Sequence, residues 1–218
     1  MKPACLIVGA GPGIGQSVAQ AFAREGYDIA LASRHVEKLR AFQPALEKTG
    51  VASRAYGVDA GDEVSLRRLF AAVRKDFGDP EVLVYNPAAH GVGKPTALDG
   101  AQLAADFRVN VTGALICAQE AATAMKDRGR GTILLTGGGF AHEPAANYAS
   151  LSLGKAALRN LTYSLAQELG GYGIHVATVT VYGFVQSGTH YDPGRIADAY
   201  LRLHKQAPGH FQTELVFK

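Results

Sequence analysis

The chain has 218 residues, 47% of them hydrophobic and 19% charged, with 26 glycines and a formal net charge of +3. That size suits one compact domain with a continuous core, and the glycine content suits an α/β protein with many tight turns. Its basic residues are dispersed, which argues against a nucleic-acid surface, and no apolar run reaches the roughly 18 residues that a membrane span requires.

Short apolar runs alternate with helical stretches along the whole chain. A first strand is expected at 5–10, close enough to the N-terminus to leave no room for a signal peptide. It is followed by a helix at 14–25, a strand at 28–33, a helix at 35–48 and a strand at 53–59. Helix 62–76, strand 81–86, helix 101–128 and strand 131–137 come next. Helix 145–170, strand 174–181, helix 193–205 and strand 213–217 complete the order. Val, Ile and Leu fill the strands almost continuously, as in a parallel sheet covered on both faces. Strict alternation implies right-handed crossovers and a doubly wound sheet. The expectation is a single Rossmann-like α/β domain of about seven strands over residues 1–218, without repeats or linkers. Cys5 and Cys117 fall inside a strand and a helix. They are expected as buried free thiols, which suits a reducing, cytoplasmic compartment.

The stretch "LIVGAGPGIGQSVAQ" passes from strand to helix through Gly9, Gly13 and Gly15. Gly9 permits a tight turn, while Gly13 and Gly15 let the backbone approach a pyrophosphate and pack the helix on the sheet. Unpaired N–H groups at the helix start, where Ile14 lies, then face the phosphates.

The spacing G-x-x-x-G-x-G resembles the short-chain dehydrogenase/reductase family, and the resemblance extends over nearly the whole chain. "GVDAGDEVSL" is similar to the family's Asp motif, which implies Asp59 beside the adenine ring. "VYNPAA" resembles its N-N-A-G segment, keeping Asn86 but carrying Tyr85, Pro87 and Ala88 around it. "FRVNVTG" matches the helix bearing the family's structural-catalytic asparagine, here Asn110. "VTVYGFVQS" resembles the P-G-x-x-x-T segment that contacts the nicotinamide carboxamide, with Tyr182 for proline and Ser187 for threonine. It adds Gly183 and Val185 to the expected cofactor-binding residues. An acidic residue at the end of the second strand would select NAD. Ser33 and Arg34 stand there instead, and a hydroxyl beside a guanidinium suits a phosphate, so NADP(H) is favoured over NAD(H).

The resemblance implies four catalytic groups: a serine, a tyrosine, a lysine and an asparagine. Alignment on "KAALRNL" gives Lys155 and Asn110, but Leu151 stands in the tyrosine column and Gly138 in the serine column, with Thr136 just before. Tyr148 lies seven residues before Lys155, which on one helix is roughly 10 Å along the axis and too far for side-by-side contact. It is therefore read as a pocket-lining residue or as a proton donor through water. His142, after the fifth strand, is a second acid–base candidate at the pocket mouth, and His90 a weaker one. No cluster has metal-ligand spacing. The segment after Gly183 spends most of its length on one helix after Pro193, so the lid expected over the substrate is small. Alanine-rich faces on 101–128 and 145–170 suggest a homodimer or homotetramer. The expected function is an NAD(P)-dependent oxidoreductase acting on a small carbonyl or alcohol substrate. The alternative is a catalytically inactive NADP(H)-binding sensor or partner subunit.

Overall fold

The computed structural model describes residues 2–218. Its first half runs β1 (Ala4–Val8), α1 (Ile14–Arg24), β2 (Asp28–Ser33), α2 (Val36–Arg40), α3 (Gln43–Glu47), β3 (Ser53–Gly57), α4 (Glu63–Phe77) and β4 (Val82–Tyr85). Its second half runs α5 (Gly100–Phe107), α6 (Gly113–Arg128), β5 (Gly131–Gly138), α7 (Ala149–Leu169), β6 (Ile174–Val181), α8 (Pro193–His204) and β7 (Glu214–Phe217).

All seven strands pair in parallel, in the order β3-β2-β1-β4-β5-β6-β7. The chain builds outward from β1 to β3, then crosses back to lay β4 on the other side of β1. At such a switch point the loops after neighbouring strands diverge and leave a crevice at the carboxyl edge. Helices cover both faces because the central strands, β1, β2, β4 and β6 among them, are buried almost continuously along their length. Leu6 and Val8 of β1 join Leu66 and Phe70 of α4, Met125 of α6 and Leu158 of α7 in one layer. Cys5 and Ile7 join Val18 and Phe22 of α1 with Ile196, Tyr200 and Leu203 of α8 in the other. Both cysteines are buried and free.

Four helices depart from the sequence expectation, each for a local reason. The stretch 35–48 forms two short helices, because Pro44 in the first turn of α3 has no N–H to continue the ladder. The stretch 101–128 is interrupted by a wide π-turn at Arg108–Thr112. There the Tyr85 hydroxyl donates to the Val109 carbonyl and Asn110 turns its amide to the Ala89 backbone, so side chains from outside compete with the helical ladder. Gly113 restarts the helix where a Cβ would overlap the Ala60 carbonyl and the Tyr85 hydroxyl. The stretch 145–170 becomes helical only at Ala149, with Tyr148 at its N-cap in a non-helical conformation. Finally, α8 is capped by Asp192 and buried against α1 and the sheet, so it is a core helix and not a lid. Among the described residues, no helix is long and apolar enough to cross a membrane, and no group of His, Cys, Asp or Glu could hold a metal ion.

Candidate active site

The glycine turn joins β1 to α1 with Gly9 at φ 79° and Gly13 at φ 96°, both in the region that favours glycine. A Cβ on Gly9 would lie 2.6 Å from the Pro87 backbone nitrogen, and one on Gly15 would lie 2.7 Å from the Gly9 carbonyl oxygen. Turn, helix and β4 loop therefore sit as close as backbones allow. Asn86 locks this contact. Its Nδ2 donates to the Gly9 oxygen at 3.0 Å and its Oδ1 accepts from Thr136 Oγ1 at 2.8 Å, with the Tyr200 hydroxyl 2.6 Å behind Thr136. The carboxyl ends of β1, β4 and β5 are thus braced by one hydrogen-bonded chain. No side chain caps the start of α1, which leaves N–H groups and the positive end of the helix dipole available to an anion.

A cavity of about 330 Å³ opens on one flank of this turn, lined by Gly9, Ser33, Arg34, Asp59 and Asn86. Ser33 Oγ accepts from the His35 N–H at 3.2 Å. Asp59 is fixed by the Gly61 N–H on its Oδ1 at 2.8 Å and by its own N–H donating to Ser65 Oγ at 3.0 Å. Val58, Ala60 and Val109 give the cavity apolar walls suited to a flat base. His35 and Lys38 also line it, and the sequence reading missed both. Lys38 lies in α2 and Arg34 in the bend before it, and the turn at His35 brings both to this cavity.

A second cavity, of about 540 Å³, lies on the other flank. Ile14, Lys155, Gly183 and Val185 line it, together with Tyr148, Leu151, Phe140, Tyr182 and Phe184. Lys155 is only 8% exposed, and its Nζ donates to the Thr136 carbonyl oxygen at 2.6 Å. Burial pushes its pKa down to about 8. Gly138 is extended, and a Cβ there would meet the Lys155 methylenes at 3.6–3.7 Å, an ordinary contact. Tyr148 stacks on Phe140, ring centroids 5.6 Å apart and planes 17° apart, forming an aromatic wall.

Asn110 and His142 lie elsewhere. Both polar atoms of the buried Asn110 side chain bond the backbone of Ala89 at 2.8 Å, tying the loop after β4 to the π-turn. His142 is outside the cavity lining, with its Nε2 2.8 Å from Glu214 Oε1 and its ring edge-on to Tyr182. Glu214 also accepts from Thr180 Oγ1 at 2.7 Å and Arg159 Nε at 2.9 Å. Burial pushes the Glu214 carboxyl up, but these bonds and the Arg159 charge outweigh it and hold the pKa at about 2. Glu214 escaped the sequence reading because only the β6–β7 register decides which way it points.

The short chain dehydrogenase family model matches residues 3–191. The chain belongs to the short chain dehydrogenase family. Among its relatives, 2,3-dihydro-2,3-dihydroxybenzoate dehydrogenase of Bacillus subtilis is 29% identical over 175 residues, covering 80% of this chain and 67% of the relative. Sorbitol dehydrogenase of Cereibacter sphaeroides is 30% identical over 188 residues, covering 86% and 72%. A metagenomic short-chain oxidoreductase solved in complex with NADP superposes with a TM-score of 0.90 at 26% identity, covering 98% of this chain and 96% of that one.

Proposed function

We propose that this family member is an NADP(H)-dependent oxidoreductase that interconverts the carbonyl and alcohol forms of a small, uncharged, largely apolar molecule. The observation that carries the reading is the pair of cavities flanking one glycine turn, one edged by cations and the other ending at a buried amine. The glycine turn, the uncapped start of α1 and the two cavities fit a dinucleotide laid across the carboxyl edge of the sheet. Such a cofactor, when bound, supplies the hydride. Arg34 and Lys38 would hold its 2′-phosphate beside Ser33, and the NADP-bound metagenomic relative supports that choice. Asp59 and the walls around it would hold the adenine end, and Ile14, Gly183 and Val185 the nicotinamide end.

Of the remaining site residues, Asn110 positions the loop after β4, Tyr148 walls the substrate space, and His142 holds the 139–142 turn to β7. The second cavity offers many apolar side chains and no enclosed carboxylate, so an uncharged substrate suits it. A homo-oligomer joined through α5, α6 and α7 belongs to the same reading, supported by the half-exposed Leu153 on α7. The two buried free thiols, Cys5 and Cys117, suit a cytoplasmic setting.

A second reading, a nucleotide-binding sensor or partner subunit, is favoured by one observation: Leu151 and Gly138 put no hydroxyl where the family resemblance implies two. Calorimetric titration with NADPH and NADH tests the cofactor part common to both. Tighter binding of NADPH is expected, and equal or reversed affinities refute it. Turnover then separates enzyme from sensor.

A further inference from the structure

We infer that Lys155 itself passes the proton to and from the substrate oxygen, with no phenol between them; this rests on the oxidoreductase reading. Lys155 lines the second cavity and is enclosed by protein, and the one hydrogen bond of its amine goes to the Thr136 carbonyl. An ammonium has three donors, so two remain for a ligand. Gly138 adds no side chain there, and the position would accept a Cβ only in ordinary contact with the lysine methylenes, at 3.6–3.7 Å. Leu151, one turn earlier on α7, contributes only hydrocarbon. Of the titratable side chains that line this cavity, His90 and Glu143 are exposed, Tyr148 and Tyr182 are part-exposed, and Lys155 alone is buried.

The other ionisable groups around the amine are placed less well. Glu143 is 72% exposed at the rim, 3.6 Å from the Lys218 ammonium, which also sits over the Tyr182 ring. Tyr148 stands in the turn before α7, stacked on Phe140, and His90 is exposed. Behind Thr136, the Tyr200 hydroxyl is wholly buried and already bonded. On the α5 side, Asp106 is engaged by Ser150, Gln102 and the Gly91 N–H. No carboxylate pairs with Lys155, and burial alone lowers its pKa to about 8, close to the working pH at which an acid–base group is most effective.

In the reduction, hydride adds to the carbonyl carbon and the π pair moves to oxygen. That oxygen takes a proton from Lys155 Nζ, forming the O–H bond as the N–H bond breaks. The dinucleotide is oxidised, the carbonyl is reduced, and the neutral amine regains its proton from water. In the reverse direction the neutral amine accepts the alcohol proton.

Two readouts test this on the full-length protein. The first needs no turnover: the pH dependence of Lys155 acetylation, followed by peptide mass spectrometry with NADP⁺ present. A midpoint near 8 is expected, against about 10.4 for ordinary lysines; an ordinary midpoint overturns the proposal. The second replaces the amine by Lys155→Cys, then rebuilds it with bromoethylamine as the less basic aminoethylcysteine. NADPH oxidation is followed with 1-phenylpropane-1,2-dione and medium-chain aldehydes. The cysteine form should be at least about 10²-fold slower. The rebuilt form should recover activity with its alkaline limb moved to lower pH. Turnover with a limb that stays in place overturns the Lys155 proposal and leaves the oxidoreductase reading standing. No alcohol at any pH from protein that binds NADPH ends both.

Discussion

Leu151 precedes Lys155 by one helical turn on α7, and both side chains line the same cavity. A phenol at 151 would therefore project beside the amine, and a Cβ at 138 would touch the lysine stem at ordinary contact distance. Leu151→Tyr with Gly138→Ser shifts proton transfer from the amine to a phenol and adds a hydroxyl donor to the developing alkoxide, so kcat for aryl diketone reduction is expected to rise by about 10²-fold, the usual contribution of one such donor. Steady-state kinetics of the double variant check this. No gain, with NADPH binding intact, would mean that the cavity does not hold substrate in the assumed place.

Cofactor choice is predicted to lie in Arg34 and Lys38, which line the first cavity together. Arg34→Ala with Lys38→Ala should weaken NADPH by roughly 10- to 100-fold, the scale of losing one or two charge-assisted hydrogen bonds. NADH affinity should barely change, since it carries no 2′-phosphate. Calorimetry with both cofactors reads the difference.

Lys155 makes an opposite contribution to stability. Its pKa falls from the ordinary lysine value of 10.5 to about 8 on burial, so below pH 8 the folded protein holds a charge that costs about 3 kcal/mol. Lys155→Met should stabilise the protein by about 2 kcal/mol at pH 7, after about 1 kcal/mol is subtracted for the lost bond to Thr136. Between pH 8 and 10.5 the unfolded chain binds the proton that the folded chain has released. Stability of the unmodified protein relative to the variant should therefore rise with pH across that window. Urea midpoints of the two proteins at pH 7, 9 and 10.5 give the comparison.

The glycine turn, the parallel sheet and the order of elements were legible in the sequence because each follows from local rules. Gly9 needs a positive φ, and apolar runs on both faces need cover. Helix interruptions were not legible. The π-turn at 108–112 exists because Tyr85 and Ala89, some twenty residues away, bond Val109 and Asn110. Similarly, His142 read as a pocket-mouth group until β7 supplied Glu214, 72 residues further on. The absence of a phenol from the position before Lys155 was visible at once. The burial of the amine was not, since it depends on Gly138 and Thr136 of β5 packing against Lys155 on α7.

Glu214 joins β7 to β6, α7 and the turn carrying His142. Its pKa is depressed from 4.5 to about 2, so its stabilising bonds are complete above pH 4.5 and fade as pH falls towards 2. Glu214→Gln should lower stability at pH 7 by roughly 2–3 kcal/mol, leaving Arg159 without its carboxylate. The difference from the unmodified protein should shrink between pH 4.5 and 2. Circular dichroism across that range tests both the size and the direction.

The proposed function requires hydride to move between a dinucleotide on the glycine turn and a carbonyl in the second cavity. It is tested most directly with NADPH deuterated at C4, incubated with the protein and a set of apolar diketones and aldehydes, and mass spectrometry of the products. Deuterium on the carbinol carbon, above the protein-free control and abolished in Lys155→Met, is the predicted result. Protein that binds NADPH yet leaves every carbonyl unlabelled would contradict the proposed function.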